Sequence, residues 1–157
     1  MVANLSRMKE MTIDYTLRAT WQSVARMYNE EAKGFGSTMA VGFTLLSIDP
    51  KTGTPSTALG PKMGMEATSL SRILKSMEEK GLIERKPNPK DGRGVLIHLT
   101  EFGLEKRNDS KNAVFNFNDK VKANVTEEQL NNFFEVMDTI NRLISEKNIT
   151  IKESTTN

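Results

Sequence analysis

The sequence predicts a mainly α-helical chain carrying one small antiparallel β-wing, and three observations predict it. Apolar residues recur at three- and four-residue spacing over most of the chain, which is the stripe of an amphipathic helix. Only two short runs, around residues 82–86 and 95–99, read as strands, and the PNPKDGRG between them has hairpin-loop chemistry. Glycines and an Asp-Pro pair close the helical stretches where the stripe stops.

The first helix starts near Met11 and is marked by Ile13, Leu17, Trp21, Val24, Ala25 and Tyr28. Gly34 and Gly36 close it, since glycine accepts the left-handed conformation common after a helix end. Ser37 or Thr38 can cap the next segment, MAVGFTLLSI, which is apolar nearly all round and therefore central. Asp49-Pro50 stops it, and KTGTPST reads as a turn-rich connection. The stretch TALGPKMG forms a short helix at best, because Pro61 has no N–H and is tolerated mainly in a first turn. A helix over 66–79 follows, with Leu70, Ile73, Leu74 and Met77 as its buried stripe and Gly81 as its stop.

After the hairpin, Thr100 caps a helix that continues to about Ala123, charged in its first half. Thr126 and Gln129 then fit a capping box that opens a last helix. Its apolar residues are Leu130, Phe133, Phe134, Met137, Ile140, Leu143 and Ile144. Residues 147–157 lose the period and read as a solvated tail.

Composition bounds the chemistry. At 157 residues the chain is long enough for one domain with a real core. Lys and Arg total 22 against 20 acids, a net charge of +2, so only the distribution of charge can point to a partner. The absence of cysteine excludes disulfides, thiolate zinc sites and thiol redox sensing. With His98 as the single histidine, a histidine-rich metal cluster is excluded too, and no metal or cofactor is expected. No apolar run approaches the ~18 residues that span a bilayer. The first residues lack an uninterrupted apolar core of a secretory signal, so a soluble cytoplasmic protein is expected. There is no Gly-rich phosphate loop and no metal-ligand spacing, and the acid pairs Glu78-Glu79 and Glu127-Glu128 suit helix ends and solvated faces. An enzyme is not expected.

Two neighbouring segments carry a binding function instead. With Leu70 at the buried centre of its helix, 100° per residue places Thr68, Arg72, Lys75, Ser76 and Glu79 on the opposite side. Thr68, Ser69 and Arg72 lie in the first half, the end that enters a major groove in helix-turn-helix docking. There an arginine fork can bond two acceptors on guanine. The wing is the most basic short segment: Arg85, Lys86, Lys90 and Arg93 stand against one acid, Asp91. An arginine at its tip suits a narrow minor groove, while Lys86 and Lys90 suit phosphates. A solvated helix face and a charge-protected hairpin are the plainer readings of each part. Helix and wing in this order favour double-stranded DNA as the partner. A winged-helix protein-interaction module without DNA binding is the alternative.

These residues resemble the winged helix of the MarR family of bacterial transcription regulators. The matching features are Leu70, Ser71 and Arg72, the spacing of Met77 to Gly81-Leu82-Ile83, then Arg85, Asp91-Gly92-Arg93 and Leu99-Thr100 with Gly103. The resemblance implies a winged helix-turn-helix over 37–103, flanked by N- and C-terminal dimerisation helices at 11–34 and 104–146. It implies that 66–79 reads the major groove, that Arg93 probes the minor groove, and that Asp91 steadies a basic residue, for which Arg72 is the candidate. Pro61 and Ala67 depart from the family pattern, at the start of the supporting helix and at one usual DNA contact.

The terminal helices are more apolar than one winged module needs to cover, so a homodimer is expected through 130–144 with part of 11–28. The resemblance implies the same dimer, acting as a repressor on a pseudo-palindromic operator. It also implies a small aromatic or lipophilic effector bound between the dimer helices and the winged module. Trp21 and Tyr28 share a helix face, and with Met39 and Phe43 they are the candidate pocket wall, although aromatic stripes more often simply pack. His98 reads as a partly exposed structural residue.

Overall fold

Six helices and three strands occur among the described residues, 12–34 and 36–146 of a computed structural model. In chain order they are α1 (Ile13–Gly34), α2 (Met39–Ser47), β1 (Thr54–Pro55), α3 (Ser56–Met63), α4 (Ala67–Glu79), β2 (Ile83–Asn88), β3 (Asp91–Leu99), α5 (Glu101–Lys122) and α6 (Glu127–Ser145). The tail expected at 147–157 and Met11, where the first helix is expected to start, lie outside the described residues. The chain divides into two compact units, residues 1–114 and 115–157.

In the first unit, local chemistry sets the helix ends. The Gly36 backbone is left-handed at φ 66°, as the glycine stop requires. Thr38 caps α2, its hydroxyl accepting from the Val41 N–H at 3.3 Å. Asn29 Oδ1 accepts the Met39 N–H at 3.0 Å, tying α1 to the start of α2. The central position expected for α2 is observed: Val41, Thr44 and Leu45 are buried, and the Thr44 hydroxyl is satisfied by donating to the Ala40 carbonyl. Asp49 then folds the chain by accepting the Lys51 and Thr52 N–H groups, each at 2.8 Å.

The turn-rich connection holds an element that the sequence reading lacked. Thr54 and Pro55 form β1, antiparallel to β3 opposite Ile97 and Leu96, so the sheet has three strands in the order β1-β3-β2. Two residues show no periodicity, and their pairing partner lies far along the chain. At Gly53 the backbone is again left-handed, and any Cβ there would strike the His98 ring. That contact gives half-buried His98 the structural role expected of it.

Pro61 sits inside α3, which is short as expected. Without an N–H, Pro61 cannot close the bond to the carbonyl four residues back, and two residues later the helix ends. Gly64, at φ 62°, and the Met65 N–H, bonding to Gly60 O at 2.9 Å, complete the turn. Gly60 is buried there, and a Cβ would lie 3.2 Å from the Met65 carbonyl oxygen. The elbow between α3 and α4 therefore rests on a proline and two glycines.

The core of this unit joins Val41, Leu45 and Ile48 to Leu59, to Leu70, Leu74 and Met77, and to Leu82, Ile83 and Ile97. Burying about ten such side chains is the main stabilising term. At its edge Thr100 donates to the Gly81 carbonyl at 2.6 Å and accepts the Gly103 N–H at 2.9 Å, so it caps α5 and pins it to the end of α4. A Cβ on Gly103 would collide with the Leu82 carbonyl oxygen, so α5 can start here only on glycine. A Cβ on Gly42 would lie 3.1 Å from the Ser110 hydroxyl of α5, a tight contact rather than a collision.

The wing is longer than its sequence suggested. The segment expected as a loop is largely strand: β2 reaches Asn88, β3 begins at Asp91, and Asn88 pairs with Asp91 around Pro89-Lys90. Asn88 Oδ1 accepts the Lys90 N–H at 3.0 Å, which tightens the tip into an Asx turn. The register shifts between Pro87 and Asn88, as expected where a proline has no N–H for the ladder. Turn-type residues masked the strand because the tip is built from them.

In the second unit the capping box of α6 is present as expected. The Thr126 hydroxyl accepts the Gln129 N–H at 3.1 Å, and Gln129 Oε1 accepts the Thr126 N–H at 2.9 Å. No residue of α6 is buried.

Candidate nucleic-acid interface

The position of α4 follows from its buried stripe. With Leu70, Leu74 and Met77 in the core, Thr68, Ser69, Arg72 and Lys75 are exposed, as the helical period requires. Ser76 is half-buried rather than on the open face. The Arg72 and Lys75 side chains have no ion-pair partner among the described residues. The Arg72–Asp91 pairing is therefore not formed. Asp91 folds over the wing tip instead, where its Oδ2 would lie 3.1 Å from a Cβ on Gly94.

On the wing, Lys90 is exposed and likewise without an ion-pair partner among the described residues. Arg85 and Lys86 are different. Arg85 Nε bonds Glu78 Oε2 at 3.0 Å, joining β2 to the last turn of α4, and Lys86 Nζ lies 2.6 Å from Glu84 Oε1. The backbone of Arg93 runs in β3; its side chain lies outside the described residues. In the sequence Glu84 was not singled out, and Glu78 was read only as part of a solvated acid pair. Glu84 could have been found, since residues two apart on a strand share a face. The Glu78–Arg85 pair crosses between elements and leaves no local signal.

A second feature lies between α1, α2 and the first half of α5. Tyr28, Met39 and Phe43 line a cleft with Leu45, Leu46 and Val114, and Glu31, Lys106, Asp109 and Ser110 add polar groups. Lys106 bonds Asp109 at 3.0 Å and Glu105 at 3.1 Å, and these carboxylates hold its ammonium above the usual lysine range. Burial, helped by the charge of Glu31, pushes the Tyr28 phenol up. Trp21 is not part of the lining. It is 52 % exposed and stacks on Phe43 with ring centroids 6.4 Å apart. Seven residues carry it about 10 Å along the helix axis from Tyr28, so a shared face did not mean a shared cavity.

Among the described residues no group of three or more acidic or imidazole side chains could hold a metal ion. No described helix is long and apolar enough to cross a membrane.

Residues 38–95, which hold α2 to the wing, match the model of the MarR family. That segment is similar to MarR-family regulators. The chain is 34% identical over 71 residues to the HTH-type transcriptional regulator YdgJ of Bacillus subtilis, a match covering 45% of this chain and 43% of YdgJ. With the regulator SarZ of Staphylococcus epidermidis it shares 26% identity over 117 residues, 73% of this chain and 76% of SarZ. The match to YdgJ thus spans less than half of that relative. A mutant MarR from E. coli, crystallised with operator DNA, superposes with a TM-score of 0.74 at 23% identity, over 84% of this chain and 95% of that one. The winged-helix fold of MarR proteins is therefore the fold of this chain, and the curated relatives that it matches are described as transcriptional regulators.

Proposed function

We propose that this chain is a regulator of the MarR family, cytoplasmic and sequence-specific for DNA, a repressor acting as a homodimer on a pseudo-palindromic operator. One observation carries the reading. The exposed hydroxyls and cations of α4 stand in the same unit as a projecting hairpin whose tip bears Lys90. Arg72, at a point where an arginine fork can meet guanine, reads base edges with Thr68 and Ser69. Lys75, Lys86 and Lys90 meet phosphates, and Arg93 enters the minor groove. Two copies would space their α4 helices about 34 Å apart, one turn of the duplex. The operator complex of the E. coli MarR mutant supports the DNA partner by analogy of fold.

The homodimer is supported by the apolar residues of α6, of which Phe133, Phe134, Val136 and Ile144 are at least half exposed. The α1–α2–α5 cleft, walled by aromatic and methionine side chains, takes a small lipophilic or aromatic effector that releases the DNA. Trp21, stacked on a lining residue, reports it by a change in emission.

Arg72→Ala tests the core of the reading. It should cost about 1–3 kcal/mol of affinity and relax base preference at one position, measured by titrating duplexes selected from a random pool. An unchanged affinity and preference, at moderate salt, would leave the protein-interaction alternative standing.

A further inference from the structure

Two of the wing's cations are held by acids, in two different ways. Glu84 and Lys86 are neighbours on one face of β2, so their pair joins nothing but the strand to itself. Glu78 lies in the last turn of α4, and Arg85 stands in β2. Their 3.0 Å hydrogen bond ties the end of the exposed helix to the base of the wing. Between them the backbone turns through left-handed Gly81, with Met77 and Leu82 buried beneath. Core packing sets the position of the turn, and the pair lies on its outer side, each side chain about two-fifths exposed at 37% and 43%. Neutralising either acid adds the same unit of charge, and only Glu78 spans two elements.

Resting on the DNA-binding reading, we propose that Glu78 is a specificity-determining positioning residue. Through Arg85 it fixes the angle between recognition helix and wing, and it keeps Arg85 from gripping phosphates of any sequence. Losing it weakens the docking of helix and wing together while strengthening contact with DNA in general. Glu84 restrains charge alone.

The test compares Glu78→Gln with Glu84→Gln in the full chain. The probes are the tightest duplex that the unaltered chain selects from a random-sequence pool and a scrambled duplex of the same composition. Both variants should steepen the slope of log affinity against log salt by about one, for one more phosphate contact. Glu78→Gln should also lower the selected-to-scrambled ratio about two- to five-fold, the scale of one partly exposed ion pair, with Glu84→Gln leaving it unchanged. In an Arg85→Gln background, Glu78→Gln should change the ratio no further. Equal ratios for the two single variants, or an effect that persists without Arg85, would overturn the proposal. If the unaltered chain selects no duplex and shows no salt-dependent binding, the DNA reading fails and this inference with it. A chain that selects normally, with Glu78→Gln selecting as well, sinks only the inference.

Discussion

Helices α4 and α6 carry the same kind of apolar stripe and use it differently. In α4 the residues Leu70, Leu74 and Met77 are at most 5% exposed, whereas α6 buries no residue although it holds Phe133, Phe134, Met137, Ile140 and Leu143. A three-four pattern says that a face requires cover; it does not say what supplies it. Within the first unit the cover comes from α2, α3 and the sheet. For α6 the proposed cover is a second copy of the chain.

That contrast can be broken by substitution. Leu74→Ala, emptying a site in the packed core, should lower unfolding stability by about 3 kcal/mol in urea titration. A loss well under 1 kcal/mol would mean that α4 is held from elsewhere. Gly103→Ala should cost about 2–3 kcal/mol, because its methyl has only the Leu82 carbonyl to meet. Thr126→Ala should cost about 1 kcal/mol through the lost cap, and its effect should appear as faster amide exchange confined to α6.

Phe134→Ser should change the unfolding of dilute monomer by less than about 0.5 kcal/mol, being at a half-exposed site. In light scattering at micromolar concentration the same variant should lower the mass from dimer to monomer; a monomeric parent chain would remove the reason for the contrast. The smallest effect concerns Asp49. The Thr52 and Lys51 N–H groups hold its carboxyl below the ordinary carboxylate value. Its contribution is thus present above the unfolded value of about 4 and is lost as pH falls through the lowered folded value. Asp49→Asn should flatten the acid side of the thermal midpoint against pH, and an unaltered slope would contradict the turn.

How much of this was legible depended on how local the cause was. The caps at Thr38, read as Ser37 or Thr38, at Thr100 and at the Thr126–Gln129 box act within four residues and were readable, whereas the Thr100 bond to Gly81, 19 residues back, was not. The stripe of α4 and the exposed placement of Arg72 and Lys75 followed from period alone. β1 was not readable, because a two-residue strand is defined by its partner. Nor was the full length of the wing, whose ladder continues through residues that signal a turn. The Glu78–Arg85 pair, the burial of Ser76 and the position of Trp21 outside the cleft depend on distances between elements, which spacing along one helix does not contain.

The short strand β1 has a further consequence for behaviour in concentrated solution. A sheet edge is a template on which any extended chain can continue the ladder. Here the outer strand on one side is only Thr54 and Pro55, covering β3 at Leu96 and Ile97, and the proline offers no N–H. The other, β2, carries Glu84, Arg85 and Lys86 and then Pro87. Charge on β2 and missing donors on both outer strands thus discourage edge-to-edge growth, and incubating the folded protein at high concentration below its unfolding midpoint should give no fibrils that bind amyloid dyes.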